Sequence, residues 1–168
     1  MMRRVVLAVV LAAVLCPALA AAQEVVFLVR HAEKEIDSDE PGVGLSDAGH
    51  ARAERLASLL REAGITAIYT SATRRTRQTA EPLAKMLGLK PKTYSVSRMM
   101  DGYDFGELIK DLRQEKVVLV VGHANTVPET IRQLGYSVPM EIPPAEFDNL
   151  FILIPQKDGP PRLIHLHY

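Results

Sequence analysis

The chain has 168 residues, 48% hydrophobic and 24% charged, which places it among ordinary soluble domains and excludes a disordered or collagen-like composition. Its 20 basic and 20 acidic side chains cancel, so overall charge argues against nucleic acid or an anionic membrane as the main partner. Any anion must be bound locally.

At the start of the chain, Arg3 and Arg4 precede an apolar run from Val5 to Leu15 and then the small-residue stretch Ala18-Leu19-Ala20-Ala21-Ala22. This is the layout of a secretory signal peptide, residues 1–22, with cleavage expected near Ala22. The apolar run falls short of the roughly 20 residues of a transmembrane helix, so stable membrane insertion after cleavage is not expected. The one cysteine, Cys16, lies inside the signal and follows the bulky Leu15, which disfavours a lipid-modified N-terminus. The exported chain, periplasmic or secreted, would then carry no cysteine and depend on its core alone for stability.

Residues 23–168 read as one domain. Val25 to Val29 is an unbroken apolar, β-branched run, as in a central strand covered on both faces. Ser46 can cap a helix whose Ala53, Leu56, Ala57 and Leu60 form one buried stripe, and Gly64 stops it. A short strand, Ala67 to Thr70, follows. Thr76, Ala80, Leu83, Ala84 and Leu87 mark a second helix closed by Gly88, in which Pro82 implies a kink or a later start.

Lys92 to Val96 reads as a third strand. Asp104 with Glu107 three residues on opens a helix carrying Phe105, Leu108, Ile109 and Leu112. Val117 to Val121 is the second strongly apolar strand, and Thr126 with Glu129 forms a capping pair ahead of Ile131, Leu134 and the terminating Gly135. The proline-rich stretch from Val138 to Ala145 is a loop. Strands near Leu150 to Ile154 and Arg162 to His167 flank a turn at Asp158-Gly159. Alternating strands and helices predict an α/β/α three-layer sandwich with a mostly parallel central sheet, whose ligand sits at the carboxyl ends of the strands.

Both apolar strands run directly into histidine, at Arg30-His31 and Gly122-His123, and the strand Ala67 to Thr70 leads to Ser71 and then Arg74, Arg75 and Arg77 at a helix start. Guanidinium groups beside a helix N-terminus favour an anion. Arginine keeps its charge and can donate two parallel hydrogen bonds to phosphate oxygens, while a neighbouring cation disfavours protonation of an imidazole and leaves its nitrogen free to attack. The scheme needs no metal or other cofactor. The sequence shows no tight ligand cluster such as His-Glu-x-x-His.

The run Val29-Arg30-His31-Ala32-Glu33 resembles the strand-end signature of the histidine phosphatases, the phosphoglycerate mutase-like superfamily, which usually reads Arg-His-Gly. Leu45-Ser46-Asp47-Ala48-Gly49, the segment Tyr69-Thr70-Ser71 through Arg75 to Gln78-Thr79-Ala80, and Val121-Gly122-His123 resemble three further motifs of that family, in order. The resemblance implies that His31 is phosphorylated in an intermediate, that Arg30, Arg75 and His123 bind the phosphate, and that water releases it without a metal. Counting back from Gln78 selects Arg75 over Arg74 and Arg77, which read as solvated. Ala32 in place of glycine is expected to be tolerated provided the backbone there does not need a positive φ. Asp101 is the candidate proton donor, with Asp104 and Glu33 behind it. In size the chain resembles the compact members that act on protein phosphohistidine and lack a clear acid.

The leading expectation is an exported phosphatase acting on a small or accessible phosphate, with mutase activity disfavoured for lack of room to turn an intermediate. One alternative is a catalytically silent phosphate-binding envelope module; another is a metallohydrolase on His31, His123 and a carboxylate. His165 and His167 are expected on a solvated strand face, His50 on an exposed helix turn, and Tyr94, Tyr103 and Tyr136 in packing.

Overall fold

A computed structural model describes residues 25–37, 39–100 and 102–168. The signal segment with Arg3, Arg4, Cys16 and Ala22, and the acid candidate Asp101, lie outside these residues. Among the described residues no helix is long and apolar enough to cross a membrane.

The elements in chain order are β1 (Val25–Arg30), α1 (Asp47–Leu60), β2 (Ala67–Thr70), α2 (Arg74–Leu87), β3 (Lys92–Thr93), β4 (Ser97–Met99), β5 (Gly102–Asp104), α3 (Gly106–Leu112), β6 (Val117–Gly122), α4 (Thr126–Gln133), β7 (Asn149–Ile154) and β8 (Arg162–His167). Six of the strands form one sheet in the order β3-β2-β6-β1-β7-β8, and β4 and β5 form a separate hairpin. β1, β2, β3 and β6 pair in parallel, β7 runs antiparallel to β1, and β8 is antiparallel to β7. Only β7 is reversed, so the sheet is mostly parallel, as expected.

The uniform apolar character of β1 and β6 follows from burial on both faces. On one face Phe27, Val29, Leu119 and Val121 pack with Leu56, Ala57 and Leu60 of α1 and Ala80, Leu83 and Ala84 of α2. On the other, Val26, Leu28, Val118 and Val120 pack with Leu108, Ile109 and Leu112 of α3 and Val127 and Ile131 of α4. The result is the three-layer sandwich.

Local chemistry sets several element ends. Ser46 Oγ accepts from Gly49 N at 3.2 Å and caps α1. Gly88 ends α2 in the left-handed conformation, φ 64°. Three expectations need correction. α2 begins at Arg74, earlier than expected, and continues through Pro82, which forfeits one bond to the Gln78 carbonyl without ending the helix. β3 is only two residues long: Tyr94 N still donates to the Thr70 carbonyl, but the buried Tyr94 packs into the core and the chain turns away into the β4–β5 hairpin. Thr126 does not cap α4; its Oγ1 accepts from His123 N at 2.8 Å and so holds the turn after β6, while Glu129 pairs with Arg132.

Gly49 marks a close approach between α1 and the strand-end loop. A Cβ there would lie 2.3 Å from the Glu33 carbonyl oxygen. That oxygen also accepts from Ser46 N at 3.0 Å, so it cannot retreat without breaking the helix start. Gly49→Ala is therefore expected to destabilise the fold by about 1–3 kcal/mol, as overpacking does, measured as a lowered urea midpoint with an unchanged slope. An unchanged midpoint would show that the loop after β1 yields freely.

Candidate active site

Register brings the strand ends level. Arg30 pairs with Gly122 and Thr70 with Val121, so His31, His123 and Ser71 emerge at neighbouring positions along the same rim. Because β7 is antiparallel, its entry rather than its exit lies there, and the loop leading into Asn149 adds Pro144 and Phe147. Together they line a cavity of about 610 Å³ that also takes in Arg30, Arg75, Lys34, Asp37, Asp39, Thr73, Val96, Tyr103, Ala124, Asn125 and Thr126.

His31 is locked in place. Its backbone N–H donates to the Gly122 carbonyl at 2.9 Å, and its Nδ1 lies 2.8 Å from the Ala32 carbonyl. A carbonyl can only accept, so the proton of the neutral ring sits on Nδ1 and the lone pair on Nε2. Burial pushes the His31 imidazole down to about 3, and His123 and the guanidiniums of Arg75 and Arg30 push the same way. Near neutral pH Nε2 is therefore an unprotonated nitrogen.

The His123 ring stands edge-on to His31, centroids 5.2 Å apart and planes at 68°. Arg75 Nη2 donates to His123 Nδ1 across 3.5 Å, which assigns the ring proton to Nε2, and that group meets Ser71 Oγ at 2.9 Å. Burial, and next the Arg75 charge, bring His123 down to about 4.

The cations are fixed by backbone carbonyls rather than by carboxylates. Arg30 Nη1 donates to the carbonyls of Pro143, Pro144 and Glu146 at 3.2, 2.8 and 3.0 Å, and the guanidinium lies 4.0 Å over the Phe147 ring. Arg75 Nη1 donates to the Glu40 carbonyl at 3.0 Å. The Nε of each is buried without a hydrogen-bond partner. Partial charges of carbonyls hold these groups without cancelling them, so the cavity keeps an excess of positive charge suited to an anion. Arg74 and Arg77 point outward and are exposed, whereas Arg75 is 4% exposed.

The family model for the histidine phosphatase superfamily, branch 1, matches residues 26–108, the stretch that carries Arg30-His31, Leu45–Gly49 and Ser71–Thr79. The chain belongs to this superfamily. As a histidine phosphatase, it has solved relatives with the same fold. One is the Agrobacterium tumefaciens protein assigned as the phosphohistidine phosphatase SixA, with 25% identity, 86% of this chain and 98% of that one covered, and a TM-score of 0.65. Two others share the fold: the protein histidine phosphatase SixA solved with tungstate, at 19% identity, 85% and 96% coverage and TM-score 0.64, and a mycobacterial glucosyl-3-phosphoglycerate phosphatase, at 15% identity, 83% and 96% coverage and TM-score 0.61. No curated protein sequence matches the chain.

Geometry explains the histidine phosphatase motifs in this chain. Thr79 Oγ1 accepts from Ala32 N at 3.0 Å and donates to the Arg75 carbonyl at 2.8 Å, tying the loop after β1 to α2. Gln78 Oε1 accepts from Leu45 N at 2.9 Å. Ala32 replaces glycine without strain, since no described residue other than glycine has a positive φ.

Of the acid candidates, Glu33 is taken up by Arg52, which reaches it with Nε at 2.9 Å and Nη2 at 2.6 Å. Asp104 accepts from Gly106 N at 2.9 Å at the start of α3 and does not line the cavity. Tyr103 does more than pack, because it lines the cavity and its Oη accepts from Asn125 Nδ2 at 2.9 Å. His165 stacks on Phe151 at 4.4 Å on an exposed strand, away from the cavity lining.

The depressed histidines have a signed consequence for stability. Unfolded, each imidazole takes up a proton near pH 6.5; folded, His31 and His123 do so only near 3 and 4. The unfolded state thus binds more protons between those limits, and stability is lost as pH falls from about 6.5 toward 3. The melting temperature is expected to drop across that window, with a weaker drop in His123→Ala; equal slopes in both proteins would contradict the assignment.

Proposed function

We propose that the protein is an exported, metal-independent phosphatase that hydrolyses a phosphate monoester or phosphoramidate through a phosphohistidine on His31. The observation that carries this reading is the free Nε2 of His31, unprotonated and set beside two guanidiniums whose charges are not cancelled. In the first step Nε2 attacks phosphorus as the bond to the leaving group breaks, and Arg30, Arg75 and His123 take up the charge that spreads over the phosphoryl oxygens. Water then attacks the phosphohistidine and phosphate departs. A phosphoramidate suits the same site because its leaving nitrogen is easily protonated. The fold neighbours that act on phosphohistidine and on a phosphorylated sugar acid support phosphorylated substrates in general.

Metal independence rests on the donor set. His31 Nδ1 carries a proton toward Ala32 O, His123 Nδ1 faces Arg75, and the charge moved in the reaction is met by the Arg30 and Arg75 guanidiniums, so no step calls for a cation. Export rests on the signal layout of residues 1–22, and the secreted chain is expected to begin near Gln23 by mass spectrometry.

The test is a panel of p-nitrophenyl phosphate, sugar phosphates and a phosphoramidate, assayed with the signal-free protein in excess chelator. Turnover that persists in chelator supports the proposal; activity lost to chelator and restored by a divalent ion supports a metallohydrolase. The engagement of Glu33 and Asp104 elsewhere favours a second reading, a silent phosphate-binding module. Tight vanadate binding with no turnover across the panel would establish it.

A further inference from the structure

Asp39 lies on the loop between β1 and α1 and lines the same cavity as His31, His123, Arg30 and Arg75. Two contacts position it. Lys34 Nζ meets Asp39 Oδ1 at 3.2 Å, and the next residue, Glu40, accepts through its carbonyl from Arg75 Nη1 at 3.0 Å. The loop is therefore pinned to a cation of the anion cage one residue from Asp39, while the Asp39 side chain stays 94% exposed at the cavity mouth.

Asp39 is also the carboxylate whose charge is felt at all three of Arg30, Arg75 and His123. Glu33 is held by Arg52 and Asp104 serves α3. Asp37 shares Lys34 and the cavity wall, with a side chain as exposed as in an extended chain. Asp39 is thus the described carboxylate best joined to the reacting centre.

We propose that Asp39 is the acid–base catalyst of this site, supplied by the loop after β1. This rests on the phosphohistidine reading above. In the first half-reaction the bond from phosphorus to the leaving oxygen breaks, the Nε2–P bond forms, and the carboxyl proton of Asp39 passes to the leaving oxygen. In the second, the Asp39 carboxylate takes a proton from the attacking water as a P–O bond forms, the N–P bond breaks and its electron pair returns to Nε2. Asp39 leaves the second half-reaction protonated, as it entered the first, and gives that proton to solvent once phosphate departs.

The Lys34 hydrogen bond and charge, and more weakly the Arg75 guanidinium, keep the Asp39 carboxyl below its usual range and ionised near neutral pH. A bound phosphate ester brings negative charge among the same cations and competes for Lys34 and Arg75. That change favours the protonated carboxyl at the moment a proton is needed.

The test is leaving-group dependence in Asp39→Asn, with Asp101→Asn alongside. A series of substituted phenyl phosphates from p-nitrophenyl to unsubstituted phenyl spans good to poor leaving groups on one binding frame. Read in kcat/KM, which reports the step that expels the leaving group, Asp39→Asn is expected to lose little on p-nitrophenyl phosphate and roughly 100-fold on phenyl phosphate, the scale of general acid catalysis. Its kcat falls on both, because the base for the shared water step is gone. Equal losses in kcat/KM at both ends, no loss at either, or the selective loss appearing only in Asp101→Asn would each overturn the proposal. The controls separate the two readings. If wild type turns over p-nitrophenyl phosphate and His31→Ala does not, the phosphohistidine reading stands whatever Asp39→Asn shows; if His31→Ala retains turnover, that reading fails first.

Discussion

His31→Ala is expected to lower turnover of p-nitrophenyl phosphate by on the order of 10⁴-fold or more, the scale on which removal of a nucleophile acts. The size follows from the architecture. His31 offers one free ring nitrogen, and the neighbouring imidazole of His123 cannot take its place, because its Nδ1 faces Arg75 and its Nε2 meets Ser71. Both rings stay neutral near pH 7, so the loss is of a nucleophile rather than of a charge. Vanadate binding should persist in the variant, since Arg30, Arg75 and His123 remain. Initial rates with vanadate binding as a folding control check this; residual turnover above about a hundredth of wild type would place the nucleophile elsewhere.

The second large effect is expected at Arg75. Its guanidinium spans the anion cavity, with Nη1 on the Glu40 carbonyl and Nη2 toward His123. Arg75→Ala removes a fixed donor to the developing charge and also releases the loop that holds Lys34, Asp37 and Asp39. A loss in kcat of about 10²–10³-fold is expected, the usual cost of one such donor. Arg75→Lys should recover only part of it, because an ammonium supplies charge but not the planar fork. Arg74→Ala and Arg77→Ala change exposed side chains on the same helix turn and should leave kcat within about 3-fold of wild type. Steady-state kinetics of the four variants decide this, and an Arg74 variant as damaged as Arg75→Ala would contradict the positions assigned here.

The parts of the fold that were legible in the sequence are those where one physical cause dominates. β1 and β6 announce themselves because strands buried on both faces must be apolar throughout. Gly88 and Ser46 mark helix ends because backbone conformation and capping chemistry demand those residue types there. Thr126 misled because a hydroxyl before an apolar run reads as a cap, whereas here it accepts from His123 N instead. The β4–β5 hairpin was hidden for a related reason: its residues are mostly exposed, so burial imprints no alternation on them.

The site divides along the same line. Arg30, His31, Arg75 and His123 sit next to strand ends or a helix start, where sequence order translates into position. Phe147 and Pro144 do not, because they reach the rim only through the reversal of β7, a long-range pairing that no local pattern encodes. Lys34, Asp37 and Asp39 follow the nucleophile closely, yet a charged run in a loop reads first as solvated surface. The bonds from Arg75 Nη1 to the Glu40 carbonyl and from Arg74 N to the Pro41 carbonyl show that this loop folds back over the cavity.

The most direct test of the whole account is to quench the enzyme during turnover of p-nitrophenyl phosphate under alkaline conditions and map the phosphate by mass spectrometry. The account predicts an acid-labile, alkali-stable phosphoryl group on His31, absent in His31→Ala. Phosphate on His123 or on a carboxylate, or rapid turnover with no covalent phosphoenzyme at any time point, would contradict it.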